Sequence, residues 1–502
     1  MTHHVDILVI GAGISGISMG YHLQKNCPSK SFSILERRGE IGGTWDLFRY
    51  PGIRSDSDMY TLGFSFRPWR EKKAIADGPS ILRYVNDTVD DHGLREKISF
   101  NRFVRTARYS SEDAHWHLDV ERTDTGEVEH WSCRFLSFCA GYYNYDAGYA
   151  PDFNGVKSFE GRLIHPQHWP KDLDYQNKRV VVIGSGATAV TIVPEIAKDA
   201  AHVTMLQRSP TYMVSRPSED GFANFLQRIL PEKIAYAINR WRNITIAIYF
   251  FALARAVPNI IRRRITKWVR KELPEDYDVD THFNPHYNPW DQRLCLVPDS
   301  DFFKALTAGS ASIITDEIEK ITERGLQLKS GKNLDADIIV TATGLELQTM
   351  GGAEIFIDGQ PLDASTAVTY KGMMLSNTPN MCFTFGYTNA SWTLKADLTS
   401  QYLCRLLNFM DENDAVEFTP ILDEAGMTTN SFIDFSSGYF QRAAHRLPKQ
   451  GTKKPWRLNQ NYALDLIDMR FGKVDDGTMQ FRRSLDVDDA SAPMARQVNA
   501  AE

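Results

Sequence analysis

Two glycine-rich loops, each placed directly after a run of apolar residues, constrain the fold of this chain more than any other feature. The apolar runs DILVI and RVVVI lead into GAGISG and GSGATA, respectively. The fixed positions of the loops are Gly11, Gly13 and Gly16 in the first, and Gly184, Gly186 and Ala189 in the second. This spacing lets the backbone turn tightly and approach a pyrophosphate at a helix N-terminus. The sequence therefore predicts an α/β fold with two Rossmann-like dinucleotide-binding domains.

The two loops differ in the residue that ends the following strand. After the first loop, the strand SFSILE ends on Glu36, whose carboxylate can bind ribose hydroxyls. After the second loop, HVTMLQRSP places Arg208 and Ser209 at the equivalent point. A guanidinium there favours a ribose that carries a 2′-phosphate. We therefore expect FAD at the first loop and NADPH at the second.

Composition changes along the chain suggest how these units are arranged. The strand in DADIIVTATGLEL (335–347) is typical of the return from one dinucleotide domain to the other. The predicted FAD domain comprises 1–145 and 345–475, and the predicted NADPH domain comprises 146–216 and 281–344. A helical insert is expected over 217–280. The polar, small-residue-rich segment 478–502 is predicted to be a disordered tail.

Overall composition narrows the class of function. The chain has 502 residues, 42% hydrophobic and 24% charged, with a formal net charge of -6. These values are ordinary for a globular enzyme and give no reason to expect a nucleic-acid partner. The six cysteines have neither a redox-pair nor a metal-ligand spacing, so we expect reduced thiols and no metal. The N-terminal residues lack the pattern of a signal peptide, which predicts a cytoplasmic protein.

One segment, 240–271, leaves two interpretations open. It contains the apolar run ITIAIYFFALA, which is too short to span a bilayer, and it is rich in Arg and Lys. One interpretation is a buried helix followed by a solvated helix. The other is a basic amphipathic hairpin that makes peripheral contact with a membrane or guides a lipophilic substrate.

Two further motifs carry a resemblance to a known enzyme family. The string FEGRLIHPQHWP follows F-x-G-x-x-x-H-x-x-x-W-P at every fixed position. Those positions are Phe159, Gly161, His165, Trp169 and Pro170. The string resembles the fingerprint of Baeyer–Villiger monooxygenases, which are class B flavoprotein monooxygenases. The stretch GGTWDLFRYPGIRSDSD (42–58) resembles their second signature, which implies that Gly43, Thr44, Trp45 and Asp56 lie near the flavin.

Together with HYNPWDQRLCLVP and YTNASWTLKAD, these motifs are similar to those of the ethionamide-activating subgroup of Baeyer–Villiger enzymes. The similarity extends from about residue 5 to about residue 475. It implies NADPH- and O2-dependent oxidation of lipophilic ketones to esters through a C4a-peroxyflavin. Long-chain aldehydes are further candidate substrates, and sulfoxidation of sulfides is the implied side activity.

The resemblance also assigns roles to individual residues. Arg293 matches the catalytic arginine, which holds a fixed positive charge beside the reacting oxygen, and Asp56 is its implied partner. Gln292 stands where many relatives have a lysine, so 2′-phosphate recognition depends more on Arg208 and Ser209. In the family the fingerprint lies near the link between the nucleotide domains. We therefore expect a hydrogen bond across that link from His165, and packing from Trp169.

Three other classes of protein share some of these sequence features. A flavin-containing N- or S-hydroxylating monooxygenase shares both glycine loops but typically lacks the Trp-Pro ending and the Asp56/Arg293 pair. A flavin disulfide reductase needs a close cysteine pair, which the spacing does not offer. A non-catalytic nucleotide-binding protein would not need the Asp/Arg arrangement. Trp392 and Trp456 are candidates for lining the substrate or nicotinamide region, with ordinary packing as the alternative.

Overall fold

The structure, a computed structural model, describes residues 2–292, 294–423 and 427–483. Its strands, in chain order, are β1 (Thr2–Ile10), β2 (Phe32–Leu35), β3 (Ile98–Ser99), β4 (Arg102–Ser110), β5 (His115–Arg122), β6 (Val128–Phe138), β7 (Tyr143–Gly148), β8 (Arg162–Ile164), β9 (Arg179–Ile183), β10 (His202–Gln207), β11 (Met213–Arg216), β12 (Cys295–Pro298), β13 (Ala311–Thr315), β14 (Ile318–Thr322), β15 (Gly325–Leu328), β16 (Asn333–Asp335), β17 (Ile338–Thr341), β18 (Leu345–Leu347), β19 (Glu354–Ile357), β20 (Gln360–Pro361), β21 (Thr369–Tyr370), β22 (Met374–Leu375), β23 (Met381–Phe383), β24 (Ala415–Pro420), β25 (Thr429–Ser431), β26 (Lys449–Gly451) and β27 (Met479–Arg483). Its α-helices are α1 (Ile14–Asn26), α2 (Thr44–Leu47), α3 (Met59–Leu62), α4 (Gly78–Asp91), α5 (Ala187–Ile196), α6 (Gly221–Ile229), α7 (Glu232–Ala256), α8 (Pro258–Glu272), α9 (Val279–Phe283), α10 (Asp301–Thr307), α11 (Trp392–Glu412), α12 (Gly438–Ala443) and α13 (Tyr462–Phe471).

The larger sheet contains the first glycine loop. Its strand order is β20-β19-β4-β5-β6-β1-β2-β3, and β23 also pairs with β6. The apolar end of β1 is buried on both faces, as expected for a central parallel strand, and it pairs in parallel with β2 and β6. The first glycine loop therefore leaves the sheet between these two neighbours, at the carboxyl ends of all three strands. Helix α11 packs beside α1 over this sheet.

The second sheet contains the second glycine loop. Its five strands are all parallel, in the order β13-β10-β9-β17-β8. The loop after β9 begins at Gly184, which has a φ of +135°, and a Cβ there would lie 2.3 Å from the carbonyl oxygen of Ala342. Only glycine fits this turn, because the positive φ and the close approach both exclude a side chain.

A two-stranded link joins the sheets. Strand β7 leaves the larger sheet and β18 returns to it, and the two pair antiparallel. The strands of the larger sheet fall within 1–145 and 345–475, and those of the parallel sheet within 146–216 and 281–344. The helices α6, α7 and α8 occupy most of the predicted insert, 217–280.

Two expectations from the sequence were wrong. Strand β27, inside the segment predicted to be a disordered tail, pairs antiparallel with β24. Met479 is buried there, which gives this polar segment an apolar anchor; the remainder, 484–502, lies outside the described residues. The second is one of the two interpretations of 240–271, because 244–254 is not a buried helix. In α7 its buried residues are Ile244 and Ala254, and the others are half-buried or exposed.

Candidate cofactor and substrate site

One large cavity is lined by most of the residues that were predicted to bind FAD. Its volume is about 1220 Å³. Its walls include the loop after β1, the segment 42–58, the residues after β6, the start of α5, and parts of α7 and α8. A pocket for one ligand commonly has a volume of roughly 300–1000 Å³, so this cavity has room for more than one ligand.

The first glycine loop forms a cradle in which backbone faces the cavity. Gly11 and Gly13 line it, and a Cβ on Gly16 would lie 1.8 Å from the carbonyl oxygen of Gly11. Gly43 crosses this loop so closely that its Cβ would lie 3.1 Å from the Cα of Gly13. Helix α1 begins here with no side chain capping its N-terminus. Free N–H groups and the helix dipole suit this point to an anionic pyrophosphate.

Glu36 lies at the end of β2, against this cradle. One carboxylate oxygen accepts a hydrogen bond from the backbone N–H of Ala12 at 2.7 Å, and the other accepts from that of Arg38 at 2.9 Å. Burial raises the pKa of Glu36, while these two N–H donors lower it. A carboxylate has about four lone-pair sites. Glu36 can therefore hold the loop and still accept hydrogen bonds from ribose hydroxyls in the cavity.

The segment 42–58 places Thr44, Trp45 and Asp56 along the same cavity. Arg293, the predicted partner of Asp56, lies outside the described residues, so their pairing stays a prediction. Trp290 and Leu294 line the cavity on either side of that position in the chain.

Arg54 is a cavity residue whose ion pair the sequence did not predict. Its Nη1 donates to the carboxylate of Asp301 at 2.5 Å, and its side chain is 12% exposed. Asp301 is the first residue of α10, next to the parallel sheet. The pair therefore ties the segment 42–58 to the second unit. The partners are 247 positions apart in the sequence, and no local pattern connects them.

The second glycine loop presents a similar helix terminus; its residues 184–186 do not line this cavity, whereas the first residues of α5 do. Helix α5 begins after Gly186 with no side-chain cap, and its residues Thr188 and Thr191 reach the cavity. Arg208 and Ser209 follow β10 directly and are exposed, and Ser185 Oγ donates to the carbonyl oxygen of Ser209 at 2.9 Å. Since β9 and β10 are parallel neighbours, Arg208 and the glycine loop share one edge of the sheet.

The fingerprint residues do not line the cavity. His165 lies against the two-stranded link, where its Nε2 is 3.2 Å from the carbonyl oxygen of Gly344. The backbone N–H of Gln167 donates to Nδ1 at 3.2 Å. Burial lowers the pKa of His165, and a neutral ring with its proton on Nε2 satisfies both contacts. His165 therefore contacts the residue just before β18, and its coupling role across the link stays a prediction.

The other fingerprint residues pack around the same region. Phe159 packs against the cluster beside β14 and β15, and Trp169 packs against the core of the parallel sheet. A Cβ on Gly161 would lie 2.4 Å from the carbonyl oxygen of Asp337, so the chain passes closely there. Pro170 follows Trp169 and is half-buried.

The two tryptophans proposed for the cavity have different positions. Trp392 lines it, and its Nε1 donates to Ser15 Oγ, in the first turn of α1, at 2.7 Å. Trp456 is 3% exposed, packs edge-on against Tyr370, and is not among the lining residues. Trp392 is therefore a cavity residue, and Trp456 is packed in the core.

Apolar side chains from the helical insert complete the cavity. Those contributed by α7 include Ile244, Ile248, Phe250 and Phe251, and Trp268 comes from α8. The sequence located the insert, but it did not show which residues of α7 and α8 reach the cavity.

The sequence model of the flavin-binding monooxygenase-like family matches residues 4–349. This chain belongs to that family. The FAD-containing monooxygenase EthA of Mycobacterium tuberculosis is 53% identical to it over 486 residues, which cover 96% of this chain and 99% of that protein. The probable FAD-binding monooxygenase AlmA of Acinetobacter baylyi is 49% identical over 488 residues, or 97% of this chain and 98% of that protein.

Solved structures share the fold of this flavin-binding monooxygenase. An oxidized steroid monooxygenase bound to NADP has a TM-score of 0.77 at 21% identity, covering 96% of this chain and 100% of that one. An ε-caprolactone-bound cyclohexanone monooxygenase has a TM-score of 0.74, with the same identity and coverage. The predicted fold class and the resemblance to this group of flavoprotein monooxygenases are confirmed. The predicted FAD, NADPH and O2 agree with these findings.

Proposed function

We propose that this flavin-binding monooxygenase carries out Baeyer–Villiger oxidation of lipophilic ketones. One oxygen atom of O2 enters the bond beside the carbonyl to give an ester, the other leaves as water, and NADPH supplies the two electrons. Sulfoxidation of sulfides is the side activity, and long-chain aldehydes are further substrates. The observation that carries the proposal is the single cavity, which joins a dinucleotide cradle, Asp56 and an apolar wall from α7 and α8.

The first unit, 1–145 with 345–475, would bind FAD. Gly11 and Gly13 let the pyrophosphate reach the N-terminus of α1, while Glu36 accepts hydrogen bonds from ribose hydroxyls. Thr44 and Trp45 would enclose the ring system from the crossing loop. When bound and reduced, FAD would supply the activation of O2.

The second unit, 146–216 with 281–344, would bind NADPH. The uncapped start of α5 suits the pyrophosphate, and Arg208 with Ser209 suits the 2′-phosphate at the same sheet edge. Because Gln292 replaces a cationic residue, Arg208 supplies most of the charge for discrimination against NADH.

The insert, 217–280, would provide the substrate wall. Apolar side chains such as Ile244, Phe250 and Trp268 exclude water and favour a lipophilic substrate. Arg293, by its resemblance to the catalytic arginine, would stabilise negative charge that develops on the reacting oxygen. Arginine suits that role because it keeps its proton at neutral pH. Asp56 would hold that guanidinium in place.

Isotope labelling with a matched set of variants tests the proposal. The purified flavoprotein is incubated with NADPH, 18O2 and a panel of linear and aryl ketones, sulfides and amines, and the products are identified by mass spectrometry. We expect esters that carry one 18O atom. Arg293→Ala should still oxidise NADPH but form little ester, Arg293→Lys should retain a fraction, and the exposed Arg324→Ala should match the wild type.

Two results would contradict the proposal. If N-oxides form and no ketone gives an ester, the enzyme is an N-hydroxylating monooxygenase. If Arg293→Ala makes ester at the wild-type rate, the assignment of that arginine is wrong.

A further inference from the structure

Helix α7 differs from an ordinary surface helix, because it buries an arginine and exposes several large apolar side chains. Its arginine Arg240 is 6% exposed, donates to the carbonyl oxygen of Gly63 at 2.7 Å, and lies 3.5 Å from the carboxylate of Asp397. Five of its large apolar side chains are exposed, among them Trp241 at 47% and Tyr249 at 68%. Surface helices normally bury their apolar face against the core. These exposed apolar side chains therefore indicate a surface that binds a partner.

Exposed apolar side chains are also concentrated on the neighbouring helices. Thirteen of the fifteen exposed large apolar side chains in the described part of the chain lie on α6, α7, α8 and α13. We call these thirteen the apolar platform: Phe222, Phe225, Ile229, Ile234, Ile238, Trp241, Ile246, Tyr249, Ile260, Trp268, Leu464, Ile467 and Phe471. The rings of Trp241 and Tyr462 lie 5.9 Å apart, so α7 and α13 are adjacent. A concentration of this size is unusual on a surface that faces only water.

The platform is flanked by positive charge, only part of which is paired with carboxylates. Helices α7 and α8 contain ten basic and two acidic residues, in a chain whose net charge is -6. Arg263, Arg264 and Lys267 are exposed on α8, and none of them has a carboxylate partner among the residues that the structure describes. Apolar area beside clustered Arg and Lys is the chemistry that binds an anionic lipid surface.

The cavity opens onto the same surface. Ile246 and Trp268 both line the cavity and are 52% and 45% exposed, so its mouth lies between α7 and α8. Within the described ranges, no single helix is long and apolar enough to cross a bilayer. Helices α7 and α8 meet that test only as a pair, and they are bent by 113°. The bend favours lying on a bilayer over crossing it as one straight span.

We infer that the apolar platform docks on the surface of an anionic lipid bilayer, with the cavity mouth facing the lipid. A second copy of this chain is the less favourable occupant, because a two-fold interface on this face would bring the cationic α8 helices of both copies close together. Docking itself requires only the platform. Delivery of a lipophilic ketone from the bilayer into the cavity rests, in addition, on the proposed function.

Vesicle co-sedimentation of the FAD-loaded enzyme tests the docking without any substrate. Vesicles of phosphatidylcholine with and without phosphatidylglycerol are compared at low and high salt. We expect binding that requires the anionic lipid and weakens with salt. Lys267→Glu should lower the partition coefficient at least about fivefold, since one surface cation contributes about that factor. The exposed Lys157→Glu is the matched control and should bind like the wild type.

A second pair of variants tests the apolar contribution. Trp241→Glu should lower partitioning about tenfold or more, because it puts a charge into the lipid-facing surface. Val128→Glu, an exposed apolar position on β6 away from the platform, should have no effect. Retained flavin and unchanged NADPH oxidation show that each variant is folded.

Two outcomes would overturn the inference. One is equal binding by the platform and control variants, or no binding to anionic vesicles. The other is a dimer in light scattering that Trp241→Glu dissociates, which would make a second copy the occupant. Because no ketone is present, vesicle binding can succeed or fail independently of ester formation.

Discussion

Substitution of Asp397 tests how the helical insert is held to the first unit. Asp397 is 2% exposed on α11, where Ser18 Oγ donates to it at 2.6 Å and the backbone N–H of Ser65 donates at 3.0 Å. Arg240 of α7 lies 3.5 Å away, and His22 lies 3.7 Å away. The His22 contact is longer than an ordinary hydrogen bond. One carboxylate thus joins α1, the residues after α3, and α7.

The magnitude follows from its pKa. Burial alone would raise the pKa of Asp397, but His22, Arg240 and Ser18 together lower it from 3.8 to about 2. A lowering of nearly two units corresponds to roughly 2–3 kcal/mol of stability. Because the pKa of Asp397 is lowered in the folded state, its ionised form stabilises the protein. The stabilisation is present above pH 3.8 and is lost as the pH falls toward 2.

We therefore predict that Asp397→Asn destabilises the protein by about 3 kcal/mol at neutral pH, because it also leaves Arg240 without its buried counter-charge. Cooperative unfolding of 502 residues has an entropy of about 2.1 cal/mol/K per residue. A destabilisation of about 3 kcal/mol therefore lowers the thermal midpoint by roughly 3 °C. Calorimetry of the FAD-loaded protein measures the shift. The difference from the wild type should shrink below about pH 3.8.

The matched control is Asp411→Asn, on the same helix. Asp411 pairs with Lys30 at 2.7 Å, but its side chain is 50% exposed. Exposed pairs contribute about 0–1 kcal/mol, so this change should shift the midpoint by less than about 1 °C. If the two variants unfold within 1 °C of each other, Asp397 is not the anchor described here.

Two further predictions concern the cofactors. Arg208→Ala should raise the KM for NADPH about 10- to 100-fold and leave that for NADH nearly unchanged, since charged hydrogen bonds contribute about 1.5–3 kcal/mol; equal changes in both constants would remove Arg208 from phosphate recognition. Gly43→Ala should weaken FAD binding, measured by flavin release on dilution, because its Cβ would press on Gly13 at 3.1 Å. Gly126 also has a positive φ, but nothing lies within 4 Å of a Cβ there, so Gly126→Ala should retain flavin; a matching loss in Gly126→Ala would show that the contact with Gly13 is not the cause.

The sequence predicted those parts of the structure whose causes are local. Gly11 and Gly184 mark turns that their own backbone angles require, and the apolar strands before them are central and parallel. Glu36 and Arg208 lie where the length of a strand–turn–helix–strand unit places them. The spacings from Gly11 to Glu36 and from Gly184 to Arg208 are each less than 30 residues, so one segment of sequence contains that information.

Features that depend on distant partners were not predictable in this way. The ion pair of Arg54 with Asp301 joins segments 247 positions apart, and neither residue stands out in its own neighbourhood. The apolar run 244–254 suggested a buried helix, because apolar runs usually are buried. Its actual orientation is set by Arg240, which faces inward to meet Asp397 from another part of the chain. Hydrophobicity alone could not show which side of α7 faces the protein.

The fingerprint helps to explain why a motif can identify a reaction class without taking part in the reaction. His165 does not reach the cavity; it contacts Gly344, beside the start of β18, and its ring packs so closely on Gly148 that a Cβ there would lie 2.0 Å away. Gly148 ends β7, so the ring touches both strands of the link between the two sheets. An enzyme that passes electrons from NADPH to FAD must hold its two nucleotide units in a defined relation. A motif fixed at that link would be required by the pairing of two cofactors, whichever substrate the cavity accepts.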